Sequence, residues 1–238
     1  MKSDDIKALD YFVGGVPAGI LFKMSFDDIK ALVRSSKETS EGSSLNTVAE
    51  VCLIGFVAYF EAFCKNHFAS IVNIYPPVLK QFCKRRQDIS LNIGDLLLLD
   101  FHSKKVGFMI AEKFDFGSAK NINNLYCDLL SITPFSKTDI KKYDRLLNDR
   151  NLLVHHAGIY TMRYQKQKFV KKSVQNRVFF DSLVVNKKDF EMWANFVETM
   201  VTKIIDSSQN ALTALIKKDN FILSEENKGA LDFLDTYK

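Results

Sequence analysis

The sequence predicts a mainly α protein, a helical bundle with one short β-hairpin near residues 177–185. Only four prolines and ten glycines occur in 238 residues, so long helices meet few of their usual breakers. Apolar residues recur three and four positions apart over several long windows, the pattern of helix faces turned to a core. Strand-like chemistry, β-branched and aromatic, is concentrated in Arg177–Val185.

Residues 1–43 read as an N-terminal arm. Its Val13-Gly-Gly-Val-Pro-Ala-Gly19 run argues against regular helix. A short helix then opens near Ser25, with Asp27 and Asp28 at its positive end, and closes about Ser35. The helical domain spans 44–217. Its first helix starts with Asn46 or Ser44 as cap and runs to about Asn73. Apolar residues nearly encircle it between Val51 and Phe63, which makes it central, and Glu61 interrupts them. A lone carboxylate in such surroundings needs a cation, a backbone donor or solvent, and Lys65 lies one turn on.

Pro76 and Pro77 break the chain and open a helix over Val78–Gln87. Its Lys84-Arg85-Arg86 run reads as a solvated helix end more readily than as a nucleic-acid contact. Ile89–Phe101 is ambiguous between a short helix and a packed turn. Two more helices, Ser103–Phe114 and Ser118–Ile132, flank Asp115-Phe-Gly117. Protein kinases carry that tripeptide, but a glycine-rich phosphate loop and a His-Arg-Asp segment are missing from this sequence, so it is discounted. Ser136 or Thr138 caps the next helix, which continues to His155 or His156, with Gly158 placed to end it. Asn186 or Asp189 caps a last long helix from Phe190 to about Lys217. Residues 218–238 form a C-terminal docking tail.

The 47% hydrophobic content excludes a wholly disordered chain. A net charge of +5 is mildly basic and compatible with a polyanionic partner. Cys52, Cys64, Cys83 and Cys127 are scattered in apolar segments and read as buried free thiols of a reducing compartment. Cys64 and His67 alone cannot complete a zinc site. Met1–Asp10 is charged and acidic, unlike a secretory signal. Val51–Phe63 is too short to span a bilayer. The expectation is a cytoplasmic protein without membrane, metal or cofactor.

Residues 148–156, Asn-Asp-Arg-Asn-Leu-Leu-Val-His-His, carry the chemistry. Leu146, Leu147, Leu153 and Val154 keep helical spacing while Arg150, Asn151 and His155 interrupt it. Asn151 and His155 stand one turn apart, so the amide can contact or orient the imidazole, a ring whose ordinary pKa of about 6.5 suits proton transfer near neutrality. Arg150 lies about 140° around an ideal helix from His155. The two meet one ligand only if the helix end tightens, the long Arg side chain swings across, or a second copy of the helix faces the first. Downstream, Arg163, Lys166, Lys168, Lys171 and Lys172, with Tyr164 and Phe169 interleaved, have the makings of an RNA-guiding loop, a solvated linker being the blander reading.

At Arg150, Asn151 and His155 the sequence resembles the HEPN superfamily of all-helical domains. Its ribonuclease members carry an Arg, then four to six residues, then a His, commonly with a polar residue directly after the Arg. The resemblance implies a HEPN-like bundle and a metal-independent endoribonuclease that leaves a 2′,3′-cyclic phosphate. It makes Arg150, Asn151 and His155 catalytic, gives Glu61 a role supporting Arg150, and leaves His156 as an alternative proton carrier. It also implies a homodimer with a shared cleft, an antitoxin or regulatory protein as partner, and a setting in prokaryotic defence. Two alternatives stand beside it: a non-catalytic scaffold of the same architecture, such as the helical partner of a nucleotidyltransferase, and an unrelated bundle in which Arg150 and His155 are a structural pair.

Overall fold

The computed structural model describes residues 7–37, 46–86, 94, 104–166 and 182–237. Nine α-helices and no β-strand occur among them, a mainly α architecture of the bundle class. In order they are α1 (Ala18–Ser35), α2 (Thr47–Ile74), α3 (Leu79–Arg85), α4 (Val106–Ala111), α5 (Ala119–Leu130), α6 (Lys137–His156), α7 (Met162–Lys166), α8 (Lys187–Lys218) and α9 (Glu225–Leu234). Single-turn 3-10 segments at Leu9–Tyr11, Val13–Gly15 and Pro76–Val78 complete the described elements.

The helix starts follow the sequence where a polar cap is present. Asn46 Oδ1 accepts the Ala49 N–H at 3.0 Å to open α2, Ser118 Oγ accepts Asn121 N–H at 3.2 Å to open α5, and Asn186 Oδ1 accepts Asp189 N–H at 2.8 Å to open α8. The first helix departs from expectation: it begins at Ala18, seven positions ahead of Ser25. Pro17 precedes its first residue and its carbonyl accepts from Leu21 N–H at 3.0 Å, so the proline starts the helix it was expected to block. Gly19 sits inside the helix because a Cβ there would stand 3.2 Å from Ile205 Cδ1 and 3.3 Å from Tyr237 Cβ.

The hairpin expected at 177–185 falls largely outside the described residues. Residues 177–181 lie outside the described residues, and in the remainder Ser182 makes one isolated antiparallel bridge to Ile159, without a strand. Leu183 N–H donates to Gly158 O at 2.8 Å, so residues 182 and 183 pair with the turn after α6. The ambiguous stretch 89–101 falls outside the described residues apart from residue 94.

Two compact units divide the chain. The first comprises 1–24, 60–136 and 199–238, the second 25–59 and 137–198. Phe68 organises the first, meeting the rings of Phe82, Phe116 and Tyr126 edge-on at 5.5, 5.6 and 6.0 Å. In the second, Phe56 stacks on Phe26 at 5.6 Å and tilts against Phe190 at 5.9 Å, while Tyr143, Leu146, Val197 and Trp193 complete a buried apolar side. Among the described residues α2 is long and apolar enough to cross a membrane by length and composition, so the run 51–63 belongs to a longer apolar helix than its own length suggested. Its Leu53, Phe56, Val57, Phe60 and Phe68 are fully buried in the protein, as in a core helix.

Candidate active site

The second unit holds the motif on α6. Tyr143, Leu146, Asp149 and Leu152 recur every third position and are buried, which turns Asn148, Asn151 and His155 outward. The helix ends at His156, and Ala157 and Gly158 then take positive φ, 49° and 81°. Gly158 is where the sequence placed the stop. The turn is closed by Gly158 N–H donating to Leu152 O at 3.1 Å and Ile159 N–H donating to His156 O at 2.9 Å. The chain turns back into α7, where Thr161 Oγ1 accepts the Tyr164 N–H at 3.2 Å.

Between this turn and α6 lies an open cleft of about 220 Å³. Asn148, Asn151, Leu152, His155, His156, Thr161, Arg163 and Tyr164 line it. Asn151, His155, His156 and Arg163, four residues singled out from the sequence, therefore share one wall-lined space. The two imidazoles are exposed, with ring centroids 6.5 Å apart and planes at 68°. Arg150 is half-buried and does not line the cleft, but its Nη1 donates to the Oδ1 of Asn151, which does, at 2.8 Å. The long side chain thus turns toward the Asn151 side of the helix, one of the routes by which Arg and His can approach a common ligand.

The other candidates do not line this cleft among the described residues. Lys166 is exposed on α7 and does not line the cleft. Lys168, Lys171 and Lys172 lie outside the described residues. Glu61 belongs to the first unit, where a Cβ on Gly117 would stand 3.8 Å from its Oε1 and where its charge adds to burial in pushing the Cys64 thiol up.

One constellation at the site escaped the sequence reading. Asp149, 3% exposed, accepts the Tyr164 hydroxyl on Oδ1 at 2.6 Å. Burial pushes the Asp149 carboxyl up to about 6, with the Tyr164 hydrogen bond and Arg145 opposing and Asp189 adding to the rise. Burial first, and then the Asp149 charge and hydrogen bond, raise Tyr164 far above the usual phenol value. The Tyr164 ring also stacks on Tyr160, centroids 5.4 Å apart and planes within 9°. The signal was available in part, since Asp149 falls three positions from both Leu146 and Leu152 on the apolar stripe.

The remaining motifs have local structural work. Arg85 donates to the carbonyls of Cys127 and Asp128 and to Ser131 Oγ, covering the C-terminal end of α5. Arg86 pairs with Asp128 at 2.7 Å and lies over the Phe114 ring. Asp115 accepts Gly117 N–H and Asn121 Nδ2–H, both at 2.7 Å, so Asp-Phe-Gly is a turn leading into α5. His67 is buried, with Nε2 2.7 Å from Ser208 Oγ, a hydrogen-bonded structural histidine. Cys52 and Cys64 are buried free thiols, whereas Cys83 is exposed because α3 turns it away from the Phe82 side. Among the described residues no three His, Cys, Asp or Glu side chains gather to hold a metal ion.

No protein-family model matches the chain, and no curated protein and no solved structure matches it. The fold and the cleft define what can be said of its class: a mainly α protein in which two exposed histidines and Arg163 line one open cleft.

Proposed function

We propose that this protein is a HEPN-type endoribonuclease that cleaves RNA without a metal, through attack of the ribose 2′-hydroxyl. The observation that carries the reading is the convergence of Asn151, His155, His156 and Arg163 on one open cleft, with Arg150 tied to Asn151. RNA brings its own nucleophile, so the protein has to move protons and stabilise charge on phosphorus. His155 accepts the 2′-hydroxyl proton as that oxygen attacks the adjacent phosphorus. The bond from phosphorus to the 5′ oxygen breaks, the leaving oxygen takes up a proton, and the products are a 2′,3′-cyclic phosphate and a 5′-hydroxyl. Arg150, permanently charged and forked, holds the phosphate oxygens as their charge grows. Arg163 attracts a neighbouring phosphate.

Two-fold pairing into a homodimer and restraint by an antitoxin or other regulatory protein, in prokaryotic defence in the cytoplasm, follow from the same resemblance. The test is incubation of single-stranded RNA with the purified chain in excess chelator, with end-group analysis of the fragments. Cleavage to cyclic phosphate that disappears in Arg150→Ala and His155→Ala, with unchanged melting temperatures, is expected. Intact RNA under all conditions, together with a stable heterocomplex, would favour the scaffold alternative instead.

A further inference from the structure

A single imidazole cannot take the proton from the nucleophile and give one to the leaving group in the same turnover without an exchange between the two steps. We infer that His155 and His156 of one chain divide these tasks, His155 as base and His156 as acid. This inference rests on the ribonuclease reading above.

Three observations carry it. Both histidines line the same cleft, so a phosphodiester seated there would meet both. Both are exposed, so neither has to be uncovered before a proton moves. Their centroids are 6.5 Å apart. At that separation both rings can reach oxygens of one phosphodiester. The roles follow from their neighbours. Asn151, one turn before His155 on α6 and lining the same cleft, accepts from the Arg150 guanidinium, which links the base's side of the cleft to the phosphate-binding cation. His156 closes the helix at the turn leading to Arg163, the cation that would hold the next phosphate of the departing strand.

The step balances within the chain. The 2′-oxygen loses its proton to His155 and forms a bond to phosphorus. The 5′ oxygen leaves with the electron pair of the broken bond and takes the proton of His156. Proton exchange with water then restores both rings.

The experiment compares two substrates of one sequence, an ordinary oligoribonucleotide and its analogue with sulfur as the 5′ bridging atom at the scissile bond. A thiolate leaves without a proton, so only the acid becomes dispensable. His156→Ala is expected to slow cleavage of ordinary RNA by about 10²- to 10⁴-fold, the usual contribution of general acid–base catalysis. On the sulfur substrate it should come within about tenfold of the unsubstituted protein, while His155→Ala stays defective on both. In the unsubstituted protein the rate should follow a bell-shaped pH profile, and His156→Ala should lose its alkaline limb.

Equal defects of His156→Ala on the two substrates, or no defect on either, would overturn the assignment and leave the ribonuclease reading standing. Rescue of His155→Ala by sulfur would reverse the roles and overturn it as well. An unsubstituted protein that cleaves neither substrate overturns both the assignment and the reading beneath it.

Discussion

The Tyr164 hydroxyl donates to Asp149 Oδ1 across 2.6 Å, and both side chains are shut away from solvent. The bond ties α7, a helix too short to persist alone, to the buried side of α6. Holding a carboxylate there is costly, and its pH dependence gives the cost a sign. With the folded carboxyl at about 6 and its ordinary value at 3.8, the folded chain binds the extra proton between those limits. Asp149 therefore favours the fold most below about pH 4, and that contribution is lost as pH rises through 6. Asp149→Asn keeps an acceptor oxygen and removes the charge. It should raise stability at pH 7.5 by of order 2 kcal/mol and change little at pH 3.5, read from urea unfolding at the two pH values. A gain of the same size at both would show that the carboxylate's charge is not the cause.

On the proposed ribonuclease reading Arg150, whose Nη1 donates to Asn151 Oδ1, holds the phosphate through the planar geometry of its guanidinium. Lysine has the charge but neither the fork nor the reach. Arg150→Lys should lower kcat by about 10- to 100-fold, the worth of one or two charge-assisted hydrogen bonds, with KM changed far less. Retention of full kcat in Arg150→Lys would reduce the arginine to a general positive field.

Gly107 lies where α4 crosses α2 with no room for a methyl group. A Cβ there would stand 2.1 Å from Ala69 O and 2.8 Å from Asn73 Oδ1, the atom that accepts Gly107 N–H at 2.7 Å. Gly107→Ala must push backbone away from backbone, and we expect a loss of about 2 kcal/mol or more and a Tm lower by about 4–8 °C. Gly55 is the counterpart: it sits inside α2 with nothing within 4 Å of its Cβ position. Gly55→Ala should stabilise by about 0.4–1 kcal/mol, through helix propensity and a stiffer unfolded chain. Calorimetry of the two variants side by side checks both signs.

His67 makes the fold sensitive to acid. Ser208 Oγ already donates to Ile204 O at 2.6 Å, so the bond at 2.7 Å runs from His67 Nε2–H to the hydroxyl. Nδ1 then carries the lone pair, buried between the Phe63 and Tyr126 rings without a hydrogen-bond partner. Burial lowers this histidine to about 3. The unfolded chain consequently holds the extra proton between about 6.5 and 3, and the stabilisation, complete above 6.5, is lost as pH falls across that window. The slope is up to about 1.4 kcal/mol per pH unit. Unfolding free energies measured from pH 7 to pH 4 should fall less steeply in His67→Phe, and identical slopes would exclude this histidine as the source.

The sequence made most helices legible because their caps are local: Asn46, Ser118 and Asn186 each act on an amide three residues on. Gly158 marked the end of α6 for the same reason. The start of α1 was hidden because Gly19 is selected by its approach to Ile205 and Tyr237, far along the chain, and not by local preference for a turn. At the site, the helical position of Asn151 and His155 was readable, whereas the direction of the Arg150 side chain was not, since periodicity fixes Cβ positions and not rotamers. The Tyr164 to Asp149 bond was hidden for a related reason: it depends on how the turn at Gly158 folds back, and that path has no period.

Asp115 captures amide donors two and six residues ahead of it, from Gly117 and Asn121. Closing loops that small costs little chain entropy. This corner can consequently assemble early, before distant segments have found one another, and hand α5 a ready-made first turn. Its carboxylate thus serves the local fold of this corner and not the chemistry the tripeptide would suggest by name.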